Sequence, residues 1–288
     1  MLITGDLGFT VFEDFRREFP KQYLNAGVQE AQLMGLATGL ALSGKIIFVY
    51  SIIPFATARC AEQIRNDICV HNANVKIVGV GQGYSYSVHG PTHHAVEDIG
   101  LLRSFPNMRI VSPGDPGEVR AAVRLAAVTP GPFYLRLGKK GEPDIHAKEP
   151  ILKVGKGIVV SKGTDVVLYA TGNMLEETMK VAGELKKKKV SVGVVSMPFV
   201  KPIDASLIRR LAKNAKVVAT IEEHNVLGGL GSAVAEVLAE SPYNPKFQRF
   251  GVPDEFARTV GSHAFMRDRI GLSVPKLVSS IQKLIREA

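Results

Sequence analysis

One carboxylate and a short histidine cluster are the residues of this chain whose types and spacing could do chemistry. Glu30 follows the polar turn Asn25-Ala26-Gly27 and sits in the first turn of a helix of small and apolar residues that reaches Gly44. A glutamate there gains from the positive end of the helix dipole, which is a sufficient structural reason for its presence. In a dry cleft the same carboxyl would have a raised pKa and could share a proton with a bound group. Gly35 and Gly39 lie inside the helix. Each costs about 1 kcal/mol against alanine, so their spacing predicts that something packs closely on this backbone. His89, His93 and His94 flank a Gly90-Pro91-Thr92 turn. Histidine titrates near neutrality and suits proton movement. No cysteine or aspartate completes a metal site at ligand spacing, so no metal ligand is assigned and an exposed loop is expected.

These residues must be held by the elements around them. Ile46–Tyr50 and Val75–Val80 read as continuous apolar strands of the kind buried in a parallel sheet. Ser51 to Phe55 follows at a strand's C-terminal end, where ligands of open α/β sheets gather. Ala56 to His71 reads as one helix carrying Arg59, 97–105 as a helix, 109–111 as a strand, 116–128 as a helix and 133–137 as a strand. The stretch 141–152 has no period and reads as a linker between a domain at 1–140 and one at 153–288. Beyond it, strands at 166–169, 191–195 and 217–221 alternate with helices at 175–188, 205–212 and 231–240. The expected class is α/β: two domains, each a largely parallel sheet covered by helices.

Composition narrows the function classes. The 288 residues are 45% hydrophobic and 22% charged, as in a soluble globular protein. No apolar run nears the roughly 20 residues of a membrane helix, and no secretory signal opens the chain, so a cytoplasmic setting is expected. Cys60 and Cys69 read as buried reduced thiols. The formal charge of +9 comes without aromatic interleaving or a nucleic-acid motif. Anionic metabolites and an acidic protein partner suit it better than DNA, RNA or a membrane.

The motif from Phe19-Pro20 through Asn25-Ala26-Gly27-Val28-Gln29-Glu30, with its Gly/Ala-rich helix, is followed by His89-Gly90-Pro91-Thr92-His93-His94, Glu97-Asp98, Leu102-Arg103 and Pro106-Asn107-Met108. In this order the two motifs resemble the pyrimidine-binding domain of transketolases and 1-deoxyxylulose-5-phosphate synthases. The likeness extends to Lys201–Asp204, Glu222–His224 and Gly228–Gly231 of a transketolase C-terminal domain.

The resemblance implies thiamine diphosphate as cofactor, with Glu30 as the carboxyl that protonates or hydrogen-bonds its aminopyrimidine ring. Phe55 matches one of two phenylalanines that hold this ring, and Ile52 replaces the other. His93 matches a histidine that hydrogen-bonds the donor sugar, while His94 has an open role. Thr10 matches a serine that holds the sugar phosphate. His89 stands where relatives have an aspartate that reads a sugar hydroxyl, and Lys139 where they have a phosphate-gripping arginine. Arg59 matches a substrate-facing arginine of the synthases, with an ordinary helix salt bridge as its plain reading. Arg136 is ranked below Lys139, and His224 and His263 are read as structural.

The Gly-Asp-Gly … Asn motif that holds the cofactor's diphosphate through Mg2+ is not found: Gly5-Asp6-Leu7 breaks it. The implied protein is one subunit of a split transketolase. A separate chain would bring the diphosphate domain, in a two-plus-two assembly with homodimer contacts, for ketol transfer between phosphosugars or an unusual biosynthetic sugar. The alternatives are the beta subunit of a 2-oxo acid dehydrogenase, a deoxyxylulose-phosphate-synthase-like subunit and a non-catalytic regulatory partner. In the resembling enzymes this domain begins with a helix that would lie before Met1.

Overall fold

The computed structural model describes residues 1–288. Two sheets form its frame. The first has seven strands: β1 (Leu2–Thr4), β2 (Tyr23–Asn25), β3 (Ile47–Ile52), β4 (Val75–Val80), β5 (Arg109–Val111), β6 (Phe133–Leu137) and β10 (Phe199–Lys201). Their spatial order is β10-β5-β6-β4-β3-β1-β2. All pairs are parallel except β10 with β5. The second sheet is built from β7 (Ile158–Ser161), β8 (Val166–Ala170), β9 (Val192–Ser196), β11 (Val217–Asn225) and β12 (Lys246–Val252). It runs β12-β11-β8-β9-β7, with only β7 antiparallel to its neighbour. The expected class, two mostly parallel sheets with helices, is what the chain adopts.

The helices of the first half are α1 (Glu13–Glu18), α2 (Glu30–Leu42), α3 (Ile53–Ala56), α4 (Ala61–Gln63), α5 (Asp98–Arg103) and α6 (Pro116–Val128). Those of the second are α7 (Met174–Lys187), α8 (Ala205–Ala212), α9 (Leu230–Ala239), α10 (His263–Arg269) and α11 (Val274–Glu287). The start of α6 shows why these boundaries fall where they do. The Asp115 side chain accepts the Glu118 amide and Pro116 occupies the first turn, the arrangement a helix start favours. Buried side chains of α2, β1, β3 and β4 make the largest core cluster. Clusters on both faces of the second sheet support the other half.

Several elements differ from the sequence reading. Ala56 to His71 is not one helix. Thr57 (φ −120°, ψ −77°) breaks the chain after α3, a 3-10 turn covers Ala58–Cys60, and α4 leads into a π-helical stretch at Ile64–Cys69. The strand β10, from the second half, crosses over to extend the first sheet at β5. The close packing expected on Gly35 and Gly39 is absent within the chain: a Cβ at either would meet nothing within 4 Å. That side of α2 is open, with Leu42 60% exposed. A helix apolar on all sides is normally covered on all sides. Cys60 and Cys69 are buried free thiols. No helix is long and apolar enough to cross a membrane.

Candidate active site

The topology selects one edge of the first sheet. The chain moves outward from β1 to β2, returns through α2, and places β3 on the other side of β1. The crevice outside the C-terminal ends of β1 and β3 is therefore a topological switch point. Glu30, the first residue of α2, is only 2% exposed. Ser51, fully buried near the end of β3, donates to its Oε1 at 3.3 Å. Arg59, from the 3-10 turn, donates through Nη1 to Oε2 at 2.7 Å. The helix break at Thr57 lets Arg59 reach back across this distance in sequence.

Phe55 lies under the arginine, with the guanidinium 4.4 Å from its ring centroid. Its other neighbour is His93, edge-on at 5.1 Å. From there the aromatic contacts continue to His89, 5.1 Å from His93, and to Tyr86, 5.7 Å from His89. Lys139 ends the row with its ammonium 4.9 Å from the Tyr86 ring. Thr92 shares a hydrogen bond with Nδ1 of His93 at 3.0 Å. Burial lowers the pKa of His93, and positive charge on His89 and His94 would lower it further. A neutral imidazole with an oriented nitrogen can accept a proton or hydrogen-bond an oxygen.

Glu30, Arg59, Phe55, His93, His89 and Lys139 thus form one connected row, although they come from 30 to 139 in the chain. Ile52 ends β3 beside Phe55's helix and is half-buried. Thr10 lies apart, exposed in the loop before α1, with its backbone amide donating to Glu13 at 2.6 Å. The exposed placement expected for His94 is corrected. It is 4% exposed, its Nε2 bonds the Ser87 carbonyl at 3.0 Å, and its ring packs on Tyr84 at 4.8 Å. Sequence reading also passed over Ser51 and Tyr86. Ser51 carried a signal, as a lone hydroxyl at the ligand end of an apolar strand. Tyr86 carried none beyond its place in a loop rich in glycine, tyrosine and histidine.

Behind this row the two halves meet through buried charge. Arg136 donates to Asp98 at 2.7 Å and to the Glu223 carbonyl at 3.1 Å. Burial pushes Asp98 up, but Arg136 and two hydrogen bonds hold its carboxyl below the usual range. Glu223 is likewise held low despite burial, chiefly by Arg267 and His263. His224 accepts the Gly100 amide through Nε2 at 3.1 Å, and burial lowers its pKa to about 4. The glycine-rich turn at Gly228 to Gly231 is occupied from within. Glu222, whose pKa burial pushes up to about 7, accepts the Leu230 and Gly231 amides at 2.7 Å each, so α9's N-terminus is already capped from within the chain.

The fold and this site define a class: the pyrimidine-domain and C-terminal-domain portion of a transketolase-type enzyme. The family model described as "Transketolase, pyrimidine binding domain" matches residues 1–142, and that for "Transketolase, C-terminal domain" matches 155–276. The chain is 37% identical over 264 residues to one of the subunits of apulose-4-phosphate transketolase from Actinobacillus succinogenes, covering 92% of this chain and 85% of that one. It is 33% identical over 270 residues to a 6-deoxy-6-sulfo-D-fructose transketolase subunit of a Clostridium strain, covering 94% and 83%. A solved structure described as a split gene transketolase, inactive beta4 tetramer, superposes with a TM-score of 0.90 at 36% identity, over 99% of this chain and 91% of that one. The chain belongs to the transketolase family and is a transferase subunit of its split-gene kind.

Proposed function

We propose that this subunit activates thiamine diphosphate for transfer of a two-carbon ketol unit between anionic sugars, in a site completed by a second chain. The observation that carries the reading is the buried Glu30, at the switch point, joined through Arg59 and Phe55 to His93. When bound, the cofactor supplies a nucleophilic carbon that accepts and releases the ketol fragment. The residues present fit its aminopyrimidine portion. Glu30 offers a buried carboxyl for a ring nitrogen, and Phe55 with Ile52 offers an apolar shelf for the ring face. Arg59 now holds Oε2 of Glu30. A ring nitrogen that reached that oxygen would share it, or compete for it, with Arg59. Its side chain is 49% exposed and free on one side, so it can turn toward an anionic substrate.

His93 is assigned the donor sugar's oxygen and the associated proton movement. His89 is assigned a sugar hydroxyl, and Lys139 a terminal anion that it meets as a point charge. Thr10 remains a candidate for the same anion only if its loop closes. The two relatives described above are named for a phosphorylated and a sulfonated sugar, which supports an anionic substrate. The open, apolar side of α2 supports a second chain across this edge. That chain is assigned the Mg2+ and diphosphate contacts, in a two-plus-two assembly, and this subunit alone is expected to be inactive. Domain limits of 1–140 and 153–288 with a linker at 141–152 belong to the same proposal.

The test is a calorimetric and near-ultraviolet dichroism titration of thiamine diphosphate and Mg2+ into this chain, alone and with a candidate diphosphate-domain subunit. Binding in the mixture that depends on Glu30 is expected. A full-strength site on the isolated chain would contradict the shared site. Reduction of a lipoyl domain with a 2-oxo acid, in place of ketol transfer, would move the reaction to the oxo-acid class.

A further inference from the structure

Every residue of the row from Glu30 to Lys139 comes from the first half of the chain, and the second half lends it no side chain. The histidines of the row ride on one loop. Gly83 and Ala95 exchange both backbone hydrogen bonds at 2.9 Å and close it, with Tyr84 to His94 between them. Much of its bonding is internal. The His89 amide donates to the Tyr86 carbonyl, the His93 amide to that of Gly90, and the His94 ring bonds the Ser87 carbonyl. A loop packed on itself in this way can keep its shape and still swing at its base, so its placement depends on anchors outside it.

Those anchors lie in the second half. The Tyr84 amide donates to Oε1 of Glu223 at 3.2 Å, and the Asn225 amide donates to the Val96 carbonyl at 2.6 Å. Tyr84 and Val96 share a small core with Val252 of β12 and Met266 of α10. Glu223 is the most firmly held of these groups. Its buried carboxylate bonds His263 at 2.6 Å and accepts from Arg267 and Asn173 at 2.8 Å each, besides the loop amide. The fit at the loop's base is close. A Cβ on Gly83, which has φ +59°, would lie 2.5 Å from the Glu223 carboxyl carbon.

We infer that Glu223 is a positioning residue for the row: it seats the base of the histidine loop and thereby His93, a role that rests on the ketol-transfer reading of His93. The second half thus sets where the proton-moving imidazole stands without entering the row. Glu223→Gln separates this role from general packing. Arg267 and the Tyr84 amide can only donate, whereas His263 can turn an unprotonated nitrogen toward an amide. A buried cation holds an acceptor more strongly than a backbone N–H does. The glutamine oxygen therefore belongs with Arg267 and Asn173, its NH2 faces the Tyr84 N–H, and the loop loses its anchor.

Histidine ring NMR of the full chain tests this, with the His93 signal assigned by its loss in His93→Ala. In Glu223→Gln the His93 signal should shift or split while the far-ultraviolet dichroism stays unchanged. Gly83→Ala, which leaves every ion pair in place, should displace the signal too. Glu236→Gln, which weakens the Arg103–Glu236 contact elsewhere between the halves, should leave it unmoved. In the assembled enzyme, Glu223→Gln should slow the donor half-reaction about tenfold or more. It should add nothing to His93→Ala in the double variant. A His93 signal unmoved by both Glu223→Gln and Gly83→Ala, an equal shift in Glu236→Gln, or losses that multiply in the double variant would each overturn the positioning role. A donor rate indifferent to His93→Ala, with the signal still displaced in Glu223→Gln, would overturn the catalytic reading of His93 and leave its seating by Glu223 standing.

Discussion

Arg136 and Arg59 each hold a carboxylate of the first sheet's domain at 2.7 Å, Asp98 for one and Glu30 for the other. Their settings are opposite. Arg136 is 1% exposed and its bonds reach Asp98, Gln82, Ala95 and the backbone of Glu223. Asp98 also takes the Tyr134 hydroxyl at 2.6 Å. Every strong group there is spent inside the chain. Arg59 makes one ion pair, lies over one ring and is half exposed. Its carboxylate partner keeps only a long second contact, from Ser51 at 3.3 Å. Saturation marks a structural joint, and spare capacity beside a crevice marks a site. An ion pair by itself distinguishes neither.

The largest effect should come from breaking the saturated joint. Arg136→Met leaves Asp98 buried and unpaired, and urea unfolding should show a loss of about 3–5 kcal/mol. A loss below about 1 kcal/mol would mean that the joint does not hold the halves together. Glu30→Gln should do the reverse. Turnover in the assembled enzyme should fall about 10³-fold with the unfolding midpoint nearly unchanged. Retained turnover would sink the activation role. His93→Ala should slow the donor half-reaction about 10²-fold in single-turnover kinetics and leave acceptor binding alone. An unchanged donor rate would remove it from that step.

Arg59→Met sharpens the contrast at lower cost. Stability should fall by about 1–2 kcal/mol, because one bond to a buried carboxylate is lost. Thiamine diphosphate should bind a few-fold more tightly once the competing guanidinium is gone, while kcat/KM for an anionic sugar declines. Unchanged cofactor affinity would show that Arg59 does not compete for Glu30.

The smallest effect concerns the segment after β6. His146 bonds Glu118 at 2.8 Å, and that bond raises its pKa above 6.5. A raised pKa means that its contribution is complete below about 6.5, the unfolded value, and is lost as pH rises through the folded one. Amide exchange at Ile145 and His146, whose amides donate to Asp115, should therefore accelerate beyond the ordinary base catalysis as pH rises above about 6.5. His146→Gln should remove that excess. An excess that persists in the variant would locate the titration elsewhere.

How much of this was legible varies with the range of the forces involved. Helix 116–128, strand 133–137 and helix 205–212 begin and end where the sequence places them, because Asp115, Pro116 and Asp204 act within a turn. Glu30 was legible as a helix-start carboxylate, but its burial and its arginine were not. Ala56 to His71 has helix-forming composition, yet the packing of Ile53, Ala56 and Cys60 into the core breaks it into short turns. Nothing local in Phe199-Val200-Lys201 announces an antiparallel strand in the other sheet.

The sequence by itself determined elements such as helices 116–128 and 205–212 and strands 75–80 and 133–137, where the strongest caps fall, and that a helix-start glutamate precedes a histidine loop. Those features depend on neighbours within a few residues. Tertiary structure alone decided that Arg136 is consumed by Asp98 and Glu223, that His94 turns inward, and that Arg59 returns 29 residues to Glu30. It also decided that Glu223 reaches 139 residues back to the Tyr84 amide. Such pairings reward folding only after long loops have closed, and so leave no periodic trace in the chain.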